Sequence, residues 1–232
     1  NSNRLSITSP CIGEKSMRRT LTIIVLLLLS VILASSIFNA HASPDTYTFQ
    51  PPTGDNYVAG STYQDNNYGG ATSLQVQSYS SFDKHAILKF DLSSQIPAGA
   101  TINSATLSLY YYEYQAPNNP SGRTYWAYRI TQTDWVEGTA DGSTQTGSSD
   151  WIHRQHNTLS WTTYGGTYDT TNGSSTTVPS SYGWMTWTVT SQVQYAVNYV
   201  SRVAHFLIRD GTEGSGTVYC SIFYSKENAN AN

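Results

Sequence analysis

The chain has 232 residues, enough for one large domain or two small ones. Only 12% of them are charged and the net charge is −3, which argues against a nucleic-acid partner and against a polybasic membrane-surface protein. Its 18 tyrosines and 17 glycines, with abundant Ser and Thr, suit an all-β chain with aromatic and β-branched strands and small polar turns.

In chain order, the first feature is an export signal opened by Met17. Arg18 and Arg19 form a basic start, residues 21–38 are apolar, and Ala40-His41-Ala42 fits a small-x-small cleavage site before Ser43. A retained anchor is the alternative, because the apolar run approaches spanning length. On this reading residues 1–16 lie upstream of the true start, outside the fold, and residues 17–42 are the signal. Cleavage removes Arg4, Lys15, Arg18, Arg19 and Glu14, which takes the net charge to −6. Cys11 also leaves, so Cys220 remains without an intrachain disulfide partner and reads as a small buried apolar residue.

Residues 45–49 read as the first strand of the remaining chain, and 50–73 are turn-rich, with Asn67-Tyr68-Gly69-Gly70. Residues 74–79 form the next strand. In residues 84–92, Ala86, Leu88 and Phe90 alternate with His85, Lys89 and Asp91. After a turn at Ile96-Pro97-Ala98-Gly99-Ala100, Ala105, Leu107, Leu109 and Tyr111 alternate with Thr106, Ser108, Tyr110, Tyr112 and Tyr114. A period of two marks half-buried strands, and two such apolar faces need a second sheet to cover them. A loop with Pro117 and Pro120 leads to a strand at 125–130. Thr133-Asp134-Trp135-Val136-Glu137-Gly138 opens a polar loop over 139–149. Residues 184–190 and 203–209 read as strands. Between them, 191–198 is the one good helix candidate, capped by Thr190 or Ser191, with Val193, Ala196 and Val197 on one face. Residues 218–224 are the last strand, followed by Ser225-Lys226-Glu227.

Several of these pieces form an ordered pattern. Phe90-Asp91-Leu92-Ser93 and Ile96-Pro97-x-Gly99-Ala100-x-Ile102-x-x-Ala105-x-Leu107-x-Leu109-Tyr110 resemble the DNRLRE domain, or disaggregatase-related repeat, which overlaps with carbohydrate-binding modules of the family 96 kind. Asn67-Tyr68-Gly69, Trp135-Val136-Glu137-Gly138, Trp161-Thr162-Thr163-Tyr164-Gly165-Gly166-Thr167-Tyr168-Asp169, Trp187-Thr188-Val189-Thr190 and Phe223-Tyr224-Ser225-Lys226-Glu227 follow in the family's order. The resemblance covers residues 45–227 and implies a jelly-roll β-sandwich in a secreted or surface protein. It also implies one more strand after Glu227. Residues 43–232 are therefore expected to form a single domain lacking its last strand, with a gap beside 45–49 or 218–224.

Asp134 with Glu137, and Asp141 with Asp150, are the nearest carboxylate pairs, but sequence spacing cannot place two carboxyl groups across a sugar. Asp134 and Glu137 read as acids that order a turn beside Trp135. His153 and His156 have a zinc-like spacing without a helix or cysteines to complete it. No nucleophile elbow, phosphate loop or dinucleotide fingerprint is present. A calcium ion is the cofactor considered, held by Asp45 and Glu227 if the first and last strands meet, the alternative being two surface carboxylates.

Strand parity sends Tyr110, Tyr112 and Tyr114 to one open face, and His85 and Lys89 away from the core. If Trp126, Tyr128 and Ile130 face inward, Tyr125 and Arg129 face outward. Aromatic rings suit the C–H faces of sugars, and cations beside them suit acidic sugars. The candidate binding residues are thus Tyr110 and Tyr112 for stacking, with Lys89, Arg129 and His85 for acidic groups. Alternatively, the tyrosines only cover a sheet face beneath a loop. The expectation is an all-β, antiparallel β-sandwich of jelly-roll type with one short helix, secreted and binding polysaccharide without catalysis. It has no nucleic-acid partner, and no membrane partner once the signal is removed. Part of a disaggregatase-like degrading enzyme, with its chemistry in another domain, or a structural cell-envelope module remain the alternatives.

Overall fold

The computed structural model describes residues 3–10 and 44–231; the expected export signal and cleavage site, and Cys11, lie outside them. The strands are β1 (Arg4–Pro10), β2 (Pro44–Phe49), β3 (Gly54–Ala59), β4 (Ser73–Ser78), β5 (Lys84–Asp91), β6 (Ser104–Tyr114) and β7 (Thr124–Arg129). There follow β8 (His153–Gln155), β9 (Leu159–Ser160), β10 (Ser174–Thr177), β11 (Gly183–Thr188), β12 (Val203–Asp210) and β13 (Tyr219–Tyr224), with helix α1 (Thr190–Val197) between β11 and β12.

All recorded pairings are antiparallel; β8 and β9 form a separate two-stranded ribbon, and the other strands form one curled sheet whose halves face each other as a β-sandwich. In one half, β5 lies between β3 and β12, and β7 and β10 continue beyond β12. In the other, β6 has β11 along one edge. Its other edge is shared by β1, over the first part of β6, and β13, over the last. β2 lies beyond β1, and β4 beyond β13. The alternating residues of β5 and β6 meet between the halves, as their period of two requires: Ala86, Leu88 and Phe90 face Leu107, Leu109 and Tyr111 in the main core. Trp187 Nε1 donates across it to the Tyr125 carbonyl at 3.0 Å, and the Tyr125 hydroxyl donates to Ser221 Oγ at 2.9 Å. Cys220 is fully buried, and burial pushes its thiol up to about 11.

Three expectations are corrected here. Residues 4–10, assigned to the upstream segment, are a strand of the sandwich, because Leu5 and Ile7 alternate with Arg4, Ser6 and Thr8 and are fully buried. Burying two such side chains contributes about 1.5–3 kcal/mol each. β1 fills the place between 45–49 and β6, while β2 stays the outermost strand on that side of the sheet, paired among the described residues with β1 alone. Next, a register shift where β6 meets β13 turns Tyr114 back toward the core. Tyr114 opposes Ser221, and Tyr111 opposes Phe223, so an extra residue lies between them and the parity changes. Finally, neither Thr190 nor Ser191 caps α1. Thr190 Oγ1 instead accepts from the Ala105 amide at 3.0 Å, and Gln194 bonds the backbone at Ile102 and Ala100. Those bonds fix α1 across one end of the sandwich.

Residues 131–172 leave the sandwich after β7 and fold over the outer face of the β5–β12 half. This excursion has its own core of Trp135, Trp161, Ile87, Leu207, Val58 and Ile130. Asn67 pins it: its side-chain amide donates to the carbonyls of Glu137 and Ser149, and its Oδ1 accepts from the Gly69 and Ala140 amides. Gly165, at φ 81°, lies so close to the sheet that a Cβ would be 2.8 Å from His85 Cε1.

Candidate sugar-binding surfaces

The excursion changes the role of the first two cations. His85 does leave the main core, as parity requires, but it is 3% exposed beneath the excursion. Its Nδ1 contacts the Gly165 carbonyl at 2.7 Å and its Nε2 contacts Glu213 Oε1 at 2.6 Å, with Trp151 tilted against the ring. Partial burial raises the carboxyl of Glu213, yet His85 and Arg209 outweigh it and hold the group below the usual range. Lys89 lies under Trp135: its Nζ donates to the Trp135 carbonyl at 3.2 Å and sits 4.4 Å from the ring centroid. Burial lowers its pKa, against the attraction of Glu137. Trp135 in turn donates to His205 Nδ1 at 2.9 Å. Burial, helped by Lys89, pushes His205 down to about 4, so its ring is neutral and can accept that bond.

Arg129 is placed differently from the sequence expectation. Tyr125 and Ala127 face the main core, and Trp126 and Tyr128 stack on the outer face, the reverse of the assumed parity. Arg129 therefore leaves β7 on the core side, at the end closed by α1. Its guanidinium lies 3.6 Å from the Tyr195 ring centroid, and one Nη donates to Asp169 Oδ2 at 3.0 Å. Hydrogen bonds from Asn172 and Thr171, with Arg129 adding to them, hold the Asp169 carboxyl well below its usual range. Arg129, Thr131, Thr133, Gln192, Tyr195 and Tyr199 line an open cleft here. Tyr195 and Tyr199 are 40% and 55% exposed and share a hydroxyl–hydroxyl bond.

Tyr110 and Tyr112 do face outward together on β6. Tyr224 stacks on both, at ring-centroid distances of 5.5 and 4.3 Å and interplanar angles of 9° and 11°. Trp184 meets Tyr110 edge-on at 5.3 Å, with Arg4 5.0 Å above the indole. A face-to-face stack spends ring faces on its own members, so this strip offers mainly edges and hydroxyls, with Trp184 its most exposed ring. Lys89, Arg129 and His85 are not beside it. Two surfaces therefore replace the single expected patch. The residues that sequence reasoning missed are Trp184, Tyr224, Tyr195 and Tyr199. The last two had a legible signal: Tyr195, on α1, and Tyr199, just past its C-cap Asn198, stand four apart, away from the buried Val193, Ala196 and Val197.

The carboxylates are also rearranged. Asp134 Oδ1 pairs with Arg154 Nε at 2.7 Å, whereas Glu137 Oε1 turns inward to accept from the Asp55 amide at 2.7 Å. Asp150 is buried and takes hydrogen bonds from His153 and His156, which therefore organise the excursion around it. Asp45 is an exposed residue of β2, opposite Ser9. It is not part of the group that gathers around Glu227, whose other members are Asp55 and Glu137. The expected Asp45–Glu227 pair is thus corrected: β1, not the last strand, lies next to β2.

The family model of carbohydrate-binding module family 96 matches residues 46–150. That stretch, somewhat under half of the chain, runs from β2 through β7 into the excursion and is similar to this carbohydrate-binding kind, a kind typically without catalysis. No curated protein matches the chain.

Proposed function

We propose that the chain is a secreted, non-catalytic polysaccharide-binding module whose sugar contacts lie in the cleft between β7 and α1. The observation that carries this reading is Arg129 laid across Tyr195 beside the exposed Tyr199. A cleft with aromatic walls and a few directed polar groups is what a sugar unit needs. The tyrosine rings offer apolar faces, Thr131 and Thr133 offer hydroxyls, and the guanidinium favours a carboxylate or sulfate on the sugar. Asp169 neutralises part of that charge, so the preference for acidic glycans is modest, and salt weakens it further.

Calorimetric titration with a polyuronate, a sulfated glycan and a neutral glucan tests the reading. Tyr199→Ala should weaken binding of every glycan that wild type retains, and Arg129→Gln should weaken only the acidic ones. Wild type that binds none of the three would favour a structural envelope module. A second surface is favoured by one observation, the exposed Trp184 set edge-on against Tyr110. If Trp184→Ala and Tyr112→Ala abolish binding while Tyr199→Ala does not, the strip on β6 is the site.

Export is part of the proposal, through the signal at 17–42. Cleavage after Ala42 would remove β1 as well. N-terminal sequencing of exported material should begin at Ser43; full-length protein in the membrane would contradict it.

A further inference from the structure

We infer that Asp55, Glu137 and Glu227 hold a hard divalent cation, calcium in preference to a transition metal. They come from three distant parts of the chain: β3, the start of the excursion and the segment after β13. A ligand oxygen of each lies within 4.8 Å of the others. Asp55 is 1% exposed. Its Oδ2 accepts from the Lys226 amide at 2.9 Å, but its Oδ1 has no hydrogen-bond partner, and the buried Oε2 of Glu227 has none either. Buried acceptors without partners are uncommon and costly, and two in one cluster point to a missing electrophile.

The local charges support the same conclusion. Lys226 Nζ reaches Glu137 Oε1 at 3.1 Å and also bonds Glu227 Oε1, so one ammonium serves two carboxylates. Lys89 attracts Glu137 from the other side but is held by Trp135. Asp55 has neither cation as a side-chain partner. Burial, reinforced by the charge of Glu227, pushes its carboxyl well above the usual range, and burial raises Glu137 as well. A divalent ion would relieve this crowding of carboxylates, because it satisfies several oxygens at once. The donors are all carboxylate oxygens from loops and a strand end, which suits calcium's irregular oxygen coordination better than zinc or copper. Bound there, the ion ties the chain's last segment and the excursion to β3. This inference is independent of the glycan reading.

Melting of the full chain, with and without calcium, tests it. Extracellular calcium sites bind at roughly 10⁻⁴–10⁻³ M. About 10 mM calcium should therefore raise the Tm by several degrees, on the order of 5–10 °C at a hundredfold excess over Kd, and chelator should reverse the rise. Terbium should bind competitively with calcium and luminesce through nearby tryptophan. Asp55→Asn and Glu227→Gln should each abolish the calcium shift, while Asp45→Ala should preserve it. If a variant fails to fold, calorimetric titration of wild type with calcium alone decides the question. Wild type that shows neither a thermal shift nor heat of binding overturns the site. A shift that survives Asp55→Asn but disappears in Asp45→Ala also overturns it.

Discussion

The two outer faces of the sandwich obey the same parity and end in opposite states. On the β6 half, residues that leave the core reach solvent, and Tyr110, Tyr112 and Tyr224 form a partly exposed strip. On the β5–β12 half, residues that leave the core enter a second core, because residues 131–172 fold back over them. His85 and Lys89 point away from Leu88 and Phe90, as alternation demands; Trp151 then packs on the buried His85, and Trp135 partly covers Lys89. A period of two tells which side of a sheet a residue leaves from. It says nothing about what waits on that side.

The largest way to break the contrast is to remove the anchor of the covered face. Trp135→Ala should cost about 3–5 kcal/mol, the usual range for truncating a buried tryptophan, and denaturant unfolding would measure it. A loss below about 1 kcal/mol would mean that the excursion does not depend on its second core. A smaller effect follows from His205, whose folded value near 4 lies below the ordinary 6.5. The unfolded chain binds the extra proton first, so this group removes stability as pH falls from about 6.5 toward 4, by at most about 3 kcal/mol. Asp55 and Glu137, with raised values, act in the opposite sense, so the comparison must be with a variant. His205→Gln, which retains an acceptor for Trp135, should flatten the acid limb of the stability–pH curve; an unchanged limb would contradict a neutral buried His205. The smallest effect is expected from Lys89→Met. It should change stability by less than about 1.5 kcal/mol, as volume-conserving changes do, and leave acidic-glycan affinity at the wild-type value. Weaker binding in the calorimeter would restore Lys89 to the sugar site.

The strands were legible because their alternation is written in Ala86–Leu88–Phe90 and Leu107–Leu109–Tyr111. The helix was legible from Val193, Ala196 and Val197. The place of β1 was not, because a short Leu-x-Ile segment ahead of a run read as an export signal gives no reason to seek its partner. The position of Arg129 was lost through a wrong choice of face for one short aromatic strand, Thr-Tyr-Trp-Ala-Tyr-Arg, in which both faces carry tyrosine. In the carboxylate group, Glu227 was recognisable from its motif and Asp55 was not. Its nearness to Glu137 and Glu227 depends on how the excursion and the last segment close over β3, which is tertiary information.

The central claim is that glycan is held at the open cleft by α1 and not by the cations beneath the excursion. Calorimetric titration of a polyuronate into wild type, Tyr195→Ala/Tyr199→Ala and Lys89→Met, in one low-salt buffer, tests it most directly. The double tyrosine variant should lose at least tenfold in affinity, about 1.4 kcal/mol, while Lys89→Met binds as wild type does. Undiminished binding by the tyrosine variant, with loss in Lys89→Met, would contradict it.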